Sequence, residues 1–315
     1  METVAAAGLF LVGLLVMIRG GGLFVEASVD LAETWGVPRF LVGATVVSLA
    51  TTLPEITVSA LGVLQGKADL AVGNAVGSVT ANLGLILGLC VLVSPPAVRR
   101  GTFAPRALAM VLAAALLGLV SQGGVLTWPA GLPLLVLFAL FVRGSIREAR
   151  SSVLEAPLET CRSRVGTARI APRFLLGLGG ILLGSQLLIR QGTVLAALLG
   201  VSEGVVGVTL VAVGTSLPEL VTAVSALVRR ETALSVGNLV GANLIDLSLI
   251  LPLCAILSPS GVPISGRTLG LDLPVCLGLC VLAAVPPLLE RRYRRWQGAL
   301  LLGLYGAYLA VLAGK

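Results

Sequence analysis

Residues Gly43 to Glu55, Gly-Ala-Thr-Val-Val-Ser-Leu-Ala-Thr-Thr-Leu-Pro-Glu, return in close copy as Gly207 to Glu219, Gly-Val-Thr-Leu-Val-Ala-Val-Gly-Thr-Ser-Leu-Pro-Glu. The offset of 164 residues runs on without a gap, so that Gly73, Asn74 and Gly77 recur as Gly237, Asn238 and Gly241. A chain that carries one segment twice is built from two related units. Whatever it folds into must give both copies matching surroundings. Each copy sets a carboxylate, amides and small hydroxyls in strongly apolar sequence.

Those surroundings identify the solvent. Of 315 residues, 57% are hydrophobic and 12% charged. Apolar stretches of about 20 residues recur, the length needed to cross a hydrocarbon core about 30 Å thick. Ten spans are predicted, at 3–28, 40–65, 70–93, 104–121, 125–143, 174–197, 204–228, 233–257, 269–287 and 297–313. The first lacks the positive start and small-residue cleavage site of a secretory signal, so it reads as a spanning helix. The longest polar interruption, 144–173, is rich in arginine and carries Pro157 and Gly166. It divides the chain into a first five-helix repeat (1–143), a connecting loop (144–173) and a second five-helix repeat (174–315). An odd number of spans per unit makes the second copy enter from the opposite side. The expected fold is therefore all-α and integral to the membrane, with ten transmembrane helices in two inverted-topology repeats.

The net charge of +7 marks topology and not a nucleic-acid partner, because the arginines fall at span ends. They collect on one side if the 144–173 loop is cytoplasmic, which puts both termini outside. Trp35, Trp128 and Trp296 lie near span ends, as interfacial tryptophans do. There is no histidine. Cys90, Cys161, Cys254, Cys276 and Cys280 form no Cys-x-x-Cys unit, so they read as small buried hydrophobes and no resident cofactor is expected.

Pro54 and Pro218 remove a backbone donor within apolar helices and free the carbonyls of Ala50 and Gly214. In lipid, such irregular backbone survives only where protein or a cavity covers it. Glu55 and Glu219 follow at once. A carboxylate near mid-membrane costs at least about 2.5–3.5 kcal/mol on insertion scales and is normally functional or paired. Arg19 and Arg190 are the only cations in apolar sequence that could pair with them. The inverted repeat should bring Glu55 and Glu219 together at the midplane. With the hydroxyls of Thr51, Thr52, Thr215 and Ser216 and the amide oxygen of Asn82, they make an all-oxygen site of the kind hard cations prefer. Asp246 stands where the first copy has Asn82, a third carboxylate that needs a cation or a proton to separate it from the others.

Gly214–Glu219 as Gly-Thr-Ser-Leu-Pro-Glu, Ala50–Glu55 as Ala-Thr-Thr-Leu-Pro-Glu, Gly73–Asn82 and Gly237–Asp246 together resemble the α-repeats of the calcium/cation antiporter superfamily, most closely its prokaryotic sodium/calcium exchanger branch. The resemblance implies a ten-helix secondary active antiporter that exchanges Na⁺ for Ca²⁺ by alternating access, the two ions sharing a midplane site. It implies ligand roles for Glu55, Glu219, Asn82, Asp246, Thr51, Thr215 and Ser78, with backbone carbonyls near Ser48 and Ala212. It implies long first and sixth helices that slide against the remaining bundle, a monomer sufficient for transport, and a multi-pass protein of the cell (inner) membrane. Three positions depart from the pattern: Ala242 replaces a serine, Thr52 a serine and Ala50 a glycine. The hydroxyl missing at Ala242 leaves H⁺- or K⁺-coupled calcium/cation exchange as an alternative within the same fold. The Gly-Asn-x-x-Glu-His pattern of the proton/calcium branch is absent. Outside antiport, a cation channel would need subunits around an axis, which a two-fold repeat does not supply. An intramembrane enzyme using Glu55 and Glu219 as acid and base would need a nucleophile that the sequence does not offer.

Overall fold

The computed structural model describes residues 2–155, 167–198 and 215–313. It is nearly all helix. In chain order these are α1 (Glu2–Trp35), α2 (Arg39–Thr51), α3 (Leu53–Leu64), α4 (Ala68–Val93), α5 (Arg100–Val120), α6 (Trp128–Glu155), α7 (Thr167–Leu198), α8 (Leu217–Val228), α9 (Thr232–Leu257), α10 (Thr268–Glu290) and α11 (Arg295–Ala313). Seven are long and apolar enough to cross a membrane, or eight when α2 and α3, bent by 43°, count as one span. The shorter α8 covers the second part of the expected span 204–228. The first part of that span lies outside the described residues, as do Ala212, Gly214 and Cys161.

Two expectations need correction. The connection after the fifth span is not a loop throughout 144–173. α6 runs on to Glu155 and α7 begins at Thr167. Ser151 and Ser152 turn their hydroxyls back onto the carbonyls of Arg147 and Glu148, so polar sequence continues the helix beyond the apolar stretch. Nor is the chain wholly helical, because β1 (Val125–Leu126) pairs antiparallel with β2 (Val262–Pro263). Residues so short carry no alternating pattern, and only the distant partner makes them strands.

Burial separates two core helices from a more exposed outer layer. Within their most apolar windows α4 is 72% and α9 83% buried, against 33% for α1, 28% for α7 and 22% for α6. α1 and α7 lie along one another through glycine. A methyl group on Gly20 would stand 2.8 Å from the Gly177 carbonyl oxygen. Backbones can approach so closely only where side chains are missing. The same device joins α9 to α2. A β-carbon on Gly237 or Gly241 would strike the carbonyl oxygens of Phe40 or Ala44.

One end of the bundle is tied by charge. Glu26 on α1 accepts from Arg173 of α7 and Arg229 after α8, and Asp30 also accepts from Arg173. Arg39 at the start of α2 bridges Glu33 of α1 and Glu231 before α9. These are the positions that the charge pattern assigns to one side of the membrane.

Candidate ion-binding site

Both copies of the motif break their helix at the same place. The turn falls at Thr52 in the first copy and at Ser216, 164 residues on, in the second. Pro54 and Pro218 are therefore not kinks in a helix interior. Each is the second residue of a new helix, α3 or α8, where its absent N–H would have had no partner in any case. Pro54 still has no proton to give Ala50. Glu55 and Glu219 then stand in the first turns of α3 and α8, at the positive end of each helix dipole. That is a favourable place for a carboxylate removed from water.

The next helices match as well. α4 and α9 each contain one π-helical turn. The first begins at Asn82 and the second at Asp246, again 164 residues apart. Such turns are rare and often found at functional sites. They place Asn82 and Asp246 where the regular ladder of backbone hydrogen bonds is interrupted.

Hydrogen bonds cross between the two copies in a matched pair. Thr51 donates to Asn238 Oδ1 at 3.3 Å, and Thr215 donates to Asn74 Oδ1 at 3.0 Å. Each bond joins the helix break of one copy to the motif amide of the other. Asn74 also donates through Nδ2 to the Glu55 carbonyl at 3.2 Å and to Ser59 Oγ at 2.9 Å. Thr51 shares its proton with the Ser48 carbonyl, 3.3 Å away, and the same carbonyl receives the Thr52 N–H. Thr52 Oγ1 is 3.5 Å from Glu219 Oε1.

Glu55, Glu219, Asp246 and Asn82 are each 1% exposed. Glu55 is within electrostatic range of both Glu219 and Asp246. Among the described residues, both carboxylate oxygens of Glu55, both of Asp246, one of Glu219, the Asn82 carbonyl oxygen and the hydroxyls of Ser78 and Ser216 have no hydrogen-bond partner. Ser48, Thr51 and Thr52 are wholly buried beside them, and Thr215 is 7% exposed. Arg19 and Arg190 point outward and exposed. Among the described residues, no ion pair includes any of the three carboxylates. A buried charge left unpaired is costly, and either a proton or a positive ion from outside would offset it. Among the described residues no three carboxylates or thiols close on one point. Hydroxyl, amide and carbonyl oxygens would have to complete any shell.

The sequence pattern picked out Asn74 and Asn238 as marks of the repeat without assigning them work, and the structure makes them the ties between copies. It passed over Asn243 and Met110, although Asn243 donates to Met110 Sδ and accepts from Asn82. An amide in an otherwise apolar run, with Val79 at the matching position of the first copy, was the available signal.

A multi-pass helical bundle with oxygen-rich helix breaks in its core belongs to the class of membrane proteins that handle cations. Comparison with known proteins makes this specific, since the sodium/calcium exchanger protein family matches residues 5–147 and 171–314, and the chain belongs to that family. An uncharacterized membrane protein of Methanocaldococcus jannaschii is 31% identical over 98% of this chain and 98% of its own length. The sodium/calcium exchanger MaX1 of Methanosarcina acetivorans is 28% identical, with 96% of this chain and 97% of its own covered. A structure of the sodium-calcium exchanger NCX_Mj soaked with Na⁺ and Sr²⁺ superposes with a TM-score of 0.86 at 30% identity, covering 98% of each chain.

Proposed function

We propose that this chain exchanges Na⁺ for Ca²⁺ across a cell (inner) membrane, with both ions competing for one site around Glu55 and Glu219. The observation that carries the reading is the cluster of buried carboxylate oxygens that, among the described residues, have neither a hydrogen-bond partner nor a cationic side chain to offset them. One Ca²⁺ or several Na⁺ would neutralise the same groups. The empty site would be too strongly charged to pass between the two faces of the membrane, which couples the movement of one ion to the return of the other. Asp246 and Asn82 are the further side-chain ligands. Thr51, Thr52, Ser78, Thr215 and Ser216 supply hydroxyls, and the backbone near Ser48 and Ala212 supplies carbonyl oxygens. The matched breaks, π-helical turns and crossed hydrogen bonds support ten spans in two inverted units, 1–143 and 174–315. The segment 144–173 is then cytoplasmic and both termini are outside. One subunit suffices, since all the ligands come from one chain.

Ala242 is fully buried and brings no hydroxyl where the family pattern has serine. This favours, as a second reading, H⁺ or K⁺ in place of part of the Na⁺ on the same scaffold.

The test is uptake of radiolabelled Ca²⁺ into proteoliposomes loaded with Na⁺ and diluted into Na⁺-free medium at fixed pH. Uptake that needs the outward Na⁺ gradient is expected. Uptake driven only by an outward proton or K⁺ gradient would replace the coupling ion. No Ca²⁺ movement under any of these gradients would overturn the reading.

A further inference from the structure

An asparagine ligand presents a problem that a carboxylate does not. The two ends of its amide have nearly the same shape, yet one is an acceptor that binds cations and the other a donor that repels them. Asp246 can meet an ion with either oxygen. Asn82, at the matching position of the first copy, can do so only if its amide is turned the right way.

The residues behind Asn82 fix that turn. Asn82 Nδ2 donates to Asn243 Oδ1 at 3.1 Å, and Asn243 Nδ2 donates to Met110 Sδ at 3.7 Å. Asn243 and Met110 are fully buried, and Asn82 nearly so. The direction of the chain is set at its far end. A thioether has no proton and can only accept. The Asn243 NH₂ therefore faces Met110, its carbonyl faces Asn82, and the Asn82 NH₂ is held by that carbonyl. What remains of Asn82 is Oδ1, which is buried and receives no proton from any described residue. The second copy has no such relay, because Val79 stands where symmetry would put its asparagine. Asp246 does not need one.

We infer that Asn243, itself oriented by Met110 on α5, is a positioning residue that turns the Asn82 carbonyl oxygen toward the transported cation. The inference rests on the reading of Asn82 as a ligand, and the test separates the two. The KM for Ca²⁺ and the maximal rate are measured by Na⁺-driven uptake in proteoliposomes for N82A, N243L, M110L, N82D and the double variant N82D/N243L. Thermal unfolding confirms that each is folded. N243L keeps the volume and removes the acceptor. It should raise KM about tenfold, the loss of one buried hydrogen bond converted to affinity, with the maximal rate within about twofold. M110L should raise KM less, about two- to threefold, because it frees the relay without removing the Asn243 carbonyl. In N82D the side chain carries oxygen at both ends, so adding N243L should change KM by less than about twofold.

If N82A raises KM while N243L and M110L leave it alone, the relay is overturned and the ligand stands. An equal cost of N243L in the N82D background would likewise overturn it, by showing a packing role only. An unchanged KM in N82A would remove Asn82 from the site and take the inference with it. Should N243L not fold, M110L alone and in the N82D background decides between the same outcomes.

Discussion

Asn74 offers the sharpest test of how the site is held, because one amide ties three places at once. Asn74→Ala removes bonds of 3.0 Å to Thr215, 2.9 Å to Ser59 and 3.2 Å to the Glu55 carbonyl. At about 1 kcal/mol net each, they sum to about 3 kcal/mol. The Glu55 carbonyl lies in a helix and keeps its backbone partner, which trims the loss to about 2–3 kcal/mol. Ser59→Ala deletes only one of the three and should cost about 1 kcal/mol. In the Asn74→Ala background it should cost almost nothing, since its partner has already gone. Asn74→Asp keeps the acceptor for Thr215, loses both donors and adds charge beside Glu55, so it should be the worst of the set. The assay is reversible unfolding in mixed micelles titrated with sodium dodecyl sulfate, followed by tryptophan fluorescence. A loss below about 0.5 kcal/mol for Asn74→Ala, or full additivity with Ser59→Ala, would refute the argument that this amide clamps the two halves together.

Other outcomes follow from the same geometry. Glu55→Gln or Glu219→Gln should abolish Ca²⁺-driven thermal stabilisation, which at a hundredfold excess over Kd is worth about 2.7 kcal/mol in the parent. Arg19→Gln and Arg190→Gln should leave it intact. Arg106 is buried and pairs with Glu148, 2.5 Å away, and with the Thr102 carbonyl. Arg106→Leu should therefore cost about 1.5–3 kcal/mol by removing the hydrogen bonds to a partly exposed carboxylate, and Arg106→Leu/Glu148→Leu should recover part of it in the same unfolding assay. Gly177→Ala puts a methyl group 2.5 Å from the Phe24 nitrogen. It should force α1 from α7 at a cost of about 1–3 kcal/mol, read as a lower unfolding midpoint and slower uptake.

The architecture was legible wherever one local rule decided it. Apolar stretches long enough to cross the membrane announced the long helices, of which seven or eight among the described residues are long enough to span, and the 164-residue offset announced that Thr51 and Thr215, or Asn82 and Asp246, would sit in matching local structure. The offset also pointed to helix breaks, but not to their form. The sequence shows that proline cannot continue a ladder. It does not show that the chain would stop at Thr52 and start afresh with Pro54 in the first turn. The β1–β2 pair and the charged bridge of Arg39 to Glu231 depend on residues far apart in the chain, so no local pattern announces them. Asn243 was hidden for a different reason. It has no counterpart in the other copy, and a search guided by repetition passes over whatever one half alone contains.

The exposed pair α1 and α7 gives the bilayer itself a part in the behaviour of the protein. From Thr3 to Val25, α1 is apolar except at Arg19, which gives an apolar length of about 35 Å at 1.5 Å per residue. Against a hydrocarbon thickness of about 30 Å this is long enough to span with some tilt. The deeply covered α4 and α9 are shielded from that demand by their neighbours, while α1 and α7 are less covered. Membrane thickness should therefore bear on the packing of α1 against α7 before it reaches α4 and α9. Acyl-chain length becomes a variable to control whenever the stability of that seam is measured.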